Sequence, residues 1–511
     1  MCTTAGYHAP ASIVEERRPR PRRRAAVFVV PTTLLAAAIV LRHLGTKPLW
    51  LDETVSVAVA TRPLYRVLAV LPHHDANAGL YYVLLHGWLR LGHGAAWDRG
   101  LSAVCFAATA GLVAWVGTRW RGPFVGLTCG ALVATNPFLL YYGQEARPYA
   151  LAVLLTVAST AALFWQEDGP APGAYIVATV ALVYADLFAV LFVVAQAAAV
   201  VAVCRRRRVP LPRALARCWA IIGVAGAPLA LLMMIKERSQ ISWLSKPSFL
   251  FLERTFTTMA SGWLGLGVTV VLVAVAIGAV LRPGSRPRRT TARDGLVVAA
   301  LVASFTIPPV LLWSVSQFVP SFVDRYVICS TVAAIALAGL GLDVVRRRAG
   351  SVLAWGVVGL LVVLGGQRAA ALEGAPLKGE NPPAVVSFVS SQTQGGDAIG
   401  FGGGGLRTVI DAYLPKQARF PTDIALAPGG AAWLQHDVYA REVSSPMLWS
   451  RLAGVDRLWL VTDPGDRRYP TYGPFSGLRA ELTRDFEPVI NASFPGIDVT
   501  LYVRRQALSS G

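Results

Sequence analysis

From residue 26 to about 367 the chain is a series of long apolar runs separated by short polar turns. From about 368 to 511 it reads as a mixed chain of ordinary polarity. A helix needs about 20 apolar residues to cross roughly 30 Å of hydrocarbon. Runs of that kind lie at approximately 26–44, 100–118, 123–142, 147–165, 214–235, 262–281, 294–317, 326–345 and 350–367. The stretch 173–204 holds 32 residues. As one helix it would be about 48 Å long, so it is expected to break near Asp186 into two short spans. The pattern predicts about eleven transmembrane helices over 26–367, after a basic segment 1–25 and before a soluble domain 368–511.

Two regions need a finer reading. The first polar loop, about 45–99, is by far the longest between spans. Within it, 80–92 is apolar but short and carries His86 and Arg90. Leu80, Val83, Leu84, Gly87, Trp88 and Leu91 share one helical face, which suits a helix lying in the interface. In the tail, VVSFVSSQ reads as a helix, while GDAIGF, RLWLVT at 457–462 and VTLYVR at 499–504 read as strands. The tail is therefore expected to be an α/β domain.

Composition agrees with a membrane protein. The 511 residues are 54% hydrophobic and 15% charged, against about 25% charged in soluble domains. Mean hydropathy is +0.50. These values exclude an ordinary soluble, disordered or collagen-like chain. The formal net charge of +19 would suit a nucleic-acid binder, so its distribution matters. With eleven spans and a cytoplasmic N-terminus, the cytoplasmic segments hold 22 Lys and Arg against six acids, net +16. The outward loops carry 12 basic and nine acidic residues, and the tail carries 14 of each. This is the positive-inside pattern. It orients the protein in the plasma membrane with its tail outside, and anionic lipid headgroups replace nucleic acid as the polyanion. The Arg-rich start followed by an apolar run has the layout of a signal peptide, but the spans after it read as an uncleaved first helix. The six cysteines, none of them in the tail, suggest neither a disulfide framework nor a metal site.

Ionisable residues gather at the outward turns. LWLDETVS opens the first loop with Asp52, Glu53 and Ser56. Adjacent acids beside a span are costly near lipid unless they face a polar cavity. A carboxylate there can take a proton from a hydroxyl nucleophile, or simply cap a surface helix. His73, His74, Asp75 and Asn77 follow in the same loop. Imidazole and carboxylate suit a divalent metal, but adjacent residues rarely converge on one ion. Substrate contact or a solvated loop is the expectation; no metal ligand is assigned, and metal dependence is left open. The next outward turn, NPFLLYYGQEARPYA, brings Glu145, Arg147 and Tyr149, and VPSFVDRYV brings Arg325. Arginine at such a place can grip a phosphate through two N–H groups, or pair with a neighbouring acid. GFGGGGLR at 400–407 lacks the Lys and Ser/Thr of a P-loop and reads as a flexible turn.

Three stretches in this order, LWLDETVS, then DANAGLYYVLLHGWLRLG with DRGLSAV, then NPFLLYYGQEARPYAL, resemble the C-type membrane glycosyltransferases. More narrowly, they are similar to bacterial relatives of the dolichyl-phosphate-mannose protein mannosyltransferases and of lipid A aminoarabinose transferase. The resemblance covers roughly residues 26–345. Where the family carries Pro-Pro before Leu-Tyr-Tyr, this chain has Ala78-Gly79. The resemblance implies an inverting transfer, at the outer face, of a sugar from a polyprenyl-phosphate donor to a hydroxyl acceptor. A mannose-like sugar is favoured, with a pentose second; the acceptor is a protein, a glycolipid or a polysaccharide. It implies Asp52 as the catalytic base, with Glu53 a second catalytic residue expected, with Asp75, to orient the acceptor or sugar. Asp75, His74, Asn77, Tyr81, Tyr82, Glu145, Arg147, Tyr149 and Arg325 are then expected to bind substrate, with Tyr81, Tyr82 and Trp88 along the lipid. The tail either positions the acceptor or lies as a lid on the catalytic face. The rival class is a lipid or glycolipid flippase. It would be expected to show midplane charges and internal repeats, and the sequence shows neither.

Overall fold

The structure is a computed structural model. It describes residues 22–164, 171–236, 244–281, 288–375, 377–415, 417, 419–431, 438–464 and 474–505. Most of the basic N-terminal segment, together with Glu167, Asp168, Arg282 and Arg286, lies outside the described residues.

A helix occupies every expected span. The first, α1 (Arg22–Leu41), leads into three short helices of the long loop: α2 (Leu51–Ala60), α3 (Leu64–Val70) and α4 (Gly79–Leu89). Then come α5 (Ala95–Arg121), α6 (Pro123–Thr135), α7 (Pro137–Gly143), α8 (Tyr149–Phe164), α9 (Pro172–Ala185), α10 (Val190–Arg206) and α11 (Arg213–Lys236). The bundle continues with α12 (Phe249–Met259), α13 (Trp263–Leu281), α14 (Arg288–Ser316), α15 (Ser330–Ala349) and α16 (Ser351–Gly374). Among the described residues, six helices are long and apolar enough to cross a membrane, or seven if the bent pair α6–α7 is one span. The protein is thus a multi-pass membrane protein. Length and apolarity alone do not reach eleven crossings: Val27–Leu41, Tyr149–Phe164 and Pro172–Ala185 are apolar but shorter, and α15 ends in Asp343 and three arginines.

Local chemistry sets the breaks. Asn136 accepts N–H groups from Phe138 and Leu139 at 3.1 and 3.0 Å, and Pro137 cannot continue a helix ladder; α6 and α7 meet at 61°. Asp186 ends α9 and accepts the N–H of Phe188 at 3.0 Å, so the long apolar stretch splits where its one carboxylate falls. In α15 every residue from Ser330 to Asp343 except Ala336 is buried. Gly341 permits this: a Cβ there would collide with the carbonyl of Leu272 in α13. Close backbone approach through small residues is the usual way helices pack in lipid.

The interfacial helix α4 turns Tyr81, Tyr82, Leu85 and Leu89 inward. Val83, Leu84 and Leu91, on the face expected to be apolar, are 36%, 41% and 74% exposed. Leu80 and Trp88 of the same face are half-buried against the core, so only part of that face points away from the protein.

The tail folds as α17 (Pro382–Gln392), β1 (Ala398–Phe401), α18 (Gly404–Tyr413), β2 (Thr422–Asp423), α19 (Ser445–Leu452), β3 (Arg457–Thr462), α20 (Arg479–Asp485), β4 (Phe486–Phe494) and β5 (Ile497–Arg504). The sheet order is β2-β1-β3-β5-β4. β1 is parallel to β2 and β3, and β5 is antiparallel to β3 and β4. Alternation along β3 feeds two cores. Leu458 and Leu460 pack with Leu448, Leu452 and Leu482, while Trp459 and Val461 pack with Val385, Val389 and Ile410. The expected helix and all three expected strands are present, and the tail is an α/β domain.

Candidate functional site

The first loop, the α7–α8 turn and the turn before α15 meet at one end of the bundle, under the tail domain. Asp52 and Glu53 sit in the first turn of α2, and their fates differ. Glu53 is fully buried. Its carboxylate accepts both sides of the Arg99 guanidinium, Nε at 2.7 Å and Nη2 at 2.6 Å, and the N–H of Ala146 at 2.9 Å. Arg99 also donates to the carbonyls of Leu44, Lys47 and Pro48 at 2.8, 2.9 and 3.0 Å. One ion pair thus joins the end of α1, the start of α2, α5 and the α7–α8 turn.

Asp52 remains partly open. Its side chain is 26% exposed and lies 3.6 Å from Nη2 of Arg325, its carboxylate facing the guanidinium. Arg325 comes from a 3-10 turn, Asp324–Val327, just before α15. Asp75 occupies the left-handed region, φ +53°, which Asp tolerates better than most residues. It accepts the Tyr82 hydroxyl at 2.6 Å and faces Nη1 of Arg147 at 3.5 Å. The same Nη1 donates to Ser56 Oγ at 3.2 Å, and that hydroxyl donates to the Asp52 carbonyl at 2.8 Å. Ser56 thus ties Arg147 to the backbone of α2 at Asp52.

Neither arginine is saturated. Nε of Arg147 and Nε of Arg325 are both buried and have no hydrogen-bond partner. Burial opposes the charge on each guanidinium, but Tyr149 and Asp52 beside both, with Asp75 also beside Arg147, hold their pKa values above the ordinary range. Arg147 is buried and Arg325 partly so, and each keeps one buried N–H without a partner, the kind of donor an anion can use.

The remaining expected residues divide into wall and support. Tyr149 lies beneath Arg147 and packs edge-on against Tyr142 at 4.9 Å. Tyr81 is fully buried. Its hydroxyl is 3.0 Å from Ser102 Oγ, which donates to the Arg147 carbonyl, so Tyr81 supports the arginine from behind. Asn77 stands in the 3-10 turn Ala76–Ala78 beside Asp75. His74 meets the ring of Tyr439 in the tail edge-on at 5.9 Å. Trp88 stacks on Trp97 at 4.8 Å near the far end of α4. Glu145 is completely buried, 3.7 Å from Nζ of Lys378. Burial lifts its pKa to about 7, against the pull of Lys378. Among the described residues, no three His, Cys, Asp or Glu side chains are grouped to hold a metal ion.

Several supporting residues were not singled out in the sequence: Arg99, Lys378, Glu380 and Tyr413. Arg99 had a readable signal, an Asp-Arg-Gly at the mouth of a span. The other three lie in the tail, where nothing local marks them.

No protein-family model matches the sequence, and no curated protein matches it significantly. Two solved structures are similar in fold. ArnT from Cupriavidus metallidurans in the apo state has a TM-score of 0.55 and 13% identity, covering 94% of this chain and 98% of that one. ArnT from the same organism bound to undecaprenyl phosphate has a TM-score of 0.54 and 13% identity, covering 93% and 98%. The likeness spans both the helical bundle and the tail. The chain thus shares the fold of ArnT over nearly the whole length of both.

Proposed function

We propose that this protein is an integral-membrane glycosyltransferase. It moves a sugar from a polyprenyl-phosphate donor to a hydroxyl acceptor at the outer face of the membrane. The observation that carries this reading is the pair of arginines, 147 and 325, each facing a carboxylate and each keeping a buried, unpartnered Nε. A fold neighbour that binds undecaprenyl phosphate supports a phosphate in such a place.

The reaction is a single displacement. Asp52 takes the proton of the acceptor hydroxyl. The oxygen attacks the anomeric carbon, and the bond from that carbon to the phosphate oxygen breaks. Polyprenyl phosphate leaves with the electron pair. Arg147 and Arg325 stabilise the charge growing on the phosphate, an effect that is strongest where water is excluded. Asp75 and Asn77 orient the sugar or acceptor, and Tyr82 holds Asp75. Glu53 holds the loop in shape through Arg99 and does not touch substrate. A mannose-like sugar is favoured by the sequence resemblance, with a pentose second.

The test uses full-length protein in liposomes with undecaprenyl-phosphate-linked mannose, arabinose and aminoarabinose, each labelled, and a membrane extract as acceptor source. Release of undecaprenyl phosphate from one of them is expected, with Asp52→Asn slower by about 10²–10⁴-fold. Movement of intact lipid-linked sugar without cleavage would identify a flippase instead.

A further inference from the structure

The backbone between α1 and α2 has no ladder of its own. Pro48 interrupts it, and Trp50, at the start of α2, has no oxygen with which to cap a helix. Its polar groups are taken up from elsewhere. Arg99 takes the carbonyls of Leu44, Lys47 and Pro48. Two of its N–H groups are taken by the tail. Leu49 donates to the Tyr413 hydroxyl at 2.6 Å. Leu51, the first residue of α2 and the one before Asp52, donates to Oε2 of Glu380 at 2.9 Å across 329 residues of sequence. The side-chain Nζ of Lys47 also donates to the Leu372 carbonyl, near the end of α16, at 2.9 Å.

The tail approaches this strand of chain by its glycines. A Cβ on Gly379 would stand 3.0 Å from Cβ of Trp50, and one on Gly405 would stand 3.0 Å from Leu51. Gly405 belongs to the Gly-rich stretch 402–405. Its lack of a side chain brings α18 down onto α2, a structural reason for a glycine in a stretch otherwise read as a flexible turn.

We infer that the soluble domain is part of the catalytic machinery: Glu380 and Tyr413 are positioning residues that hold the α2 entry and so set the place of Asp52. The inference rests on the proposed role of Asp52. A general base must be held within hydrogen-bond reach of the proton it takes, and a shift of about 1 Å can cost about a hundredfold in rate. Glu380 caps the N–H of Leu51, while Glu53 inside α2 takes that of Trp50 at 3.5 Å. The side chain caps the backbone rather than touching substrate, so its loss is expected in kcat and not in donor KM.

The test has two readouts on full-length protein in liposomes. Hydrogen exchange of the amides 49–54 is measured in Glu380→Ala, Tyr413→Phe and Glu380→Gln. Release of undecaprenyl phosphate is measured on whichever of the three labelled lipid-linked sugars the wild type cleaves. Glu380→Ala and Tyr413→Phe should speed exchange at 49–54 without changing it in α5. Each should lower kcat about tenfold, with donor KM moved less than twofold. Glu380→Gln, which keeps an acceptor oxygen, should restore both. In the Asp52→Asn background Glu380→Ala should cost nothing further, because the base it positions is gone. Unchanged exchange at 49–54, or an undiminished loss in that background, would overturn the inference. An Asp52→Asn protein with the wild-type rate would overturn the reading of Asp52 and the inference with it. A slow Asp52→Asn beside a fully active Glu380→Ala would overturn the inference alone.

Discussion

At the scale of single residues, Asp52 and Glu53 are neighbours with opposite duties. Successive residues of a helix point about 100° apart, so one carboxylate turns to Arg325 and the open site while the other turns to Arg99 and the interior. The sequence marks the pair as chemistry but cannot divide it, because the division depends on which arginine each side chain meets. Removing one partner of a buried ion pair leaves an uncompensated charge and costs about 3–5 kcal/mol. Glu53→Gln is therefore expected to lower the thermal midpoint sharply in detergent. Glu53→Gln with Arg99→Gln should cost less than the two single changes together.

Glu145 gives a prediction with a sign. Its carboxyl is neutral more readily in the folded protein than in a free chain, because burial raises its pKa to about 7 despite Lys378. The folded state therefore holds a proton there that the unfolded state has lost. Its contribution to stability is most favourable below about pH 4.5 and declines as pH rises towards 7. Replacing it by Gln removes that titration. The thermal midpoint of Glu145→Gln relative to wild type should rise between pH 5 and pH 8. A constant difference would show that Glu145 does not titrate in this range.

At the scale of elements, the sequence was legible wherever a local signal sets the boundary. Asp186 breaks the long apolar stretch where expected, its side chain capping the next turn, whereas the bend at Asn136-Pro137 falls inside 123–142, a run that reads as a single span. The tail strands follow from alternation, since their two faces feed two separate cores. The short helices α2 and α3 were not foreseen, because their stability comes from packing rather than from a long amphipathic pattern. Helix contacts also depend on glycines whose role no periodicity reveals. Gly341 faces the backbone of α13, whereas Gly366 in α16 has open space around it. Gly341→Val should cost about 1–3 kcal/mol by overpacking, while Gly366→Ala should be neutral or stabilising by up to about 1 kcal/mol. Thermal unfolding of the two variants in one detergent compares them directly. Equal effects would remove the α13–α15 contact from the account.

At the scale of the whole molecule, charge and topology make one claim. Arg121 pairs with Asp294 at 2.8 Å, at the end of α5 opposite Arg99. The basic clusters and the carboxylate site thus lie at opposite ends of a 27-residue helix, about 40 Å long. With the basic end cytoplasmic, the tail and the site are outside. In a cysteine-free background, an impermeant maleimide should label Gln394→Cys in intact cells and Arg206→Cys only after permeabilisation. The reverse result would invert the topology and place the proposed sugar transfer on the wrong side.

The sequence by itself determined the helical membrane domain, the α/β character of its tail and the loops where ionisable residues gather. These follow from hydrophobic periodicity and from charges beside spans, which are local properties of the chain. Only the tertiary structure decided which acid is open and which is bound, that two arginines keep spare donors, and that the tail holds the backbone at Asp52. Those outcomes depend on groups brought together across hundreds of residues. A side chain's partner is chosen by the packing that surrounds it, and no short stretch of sequence contains that packing.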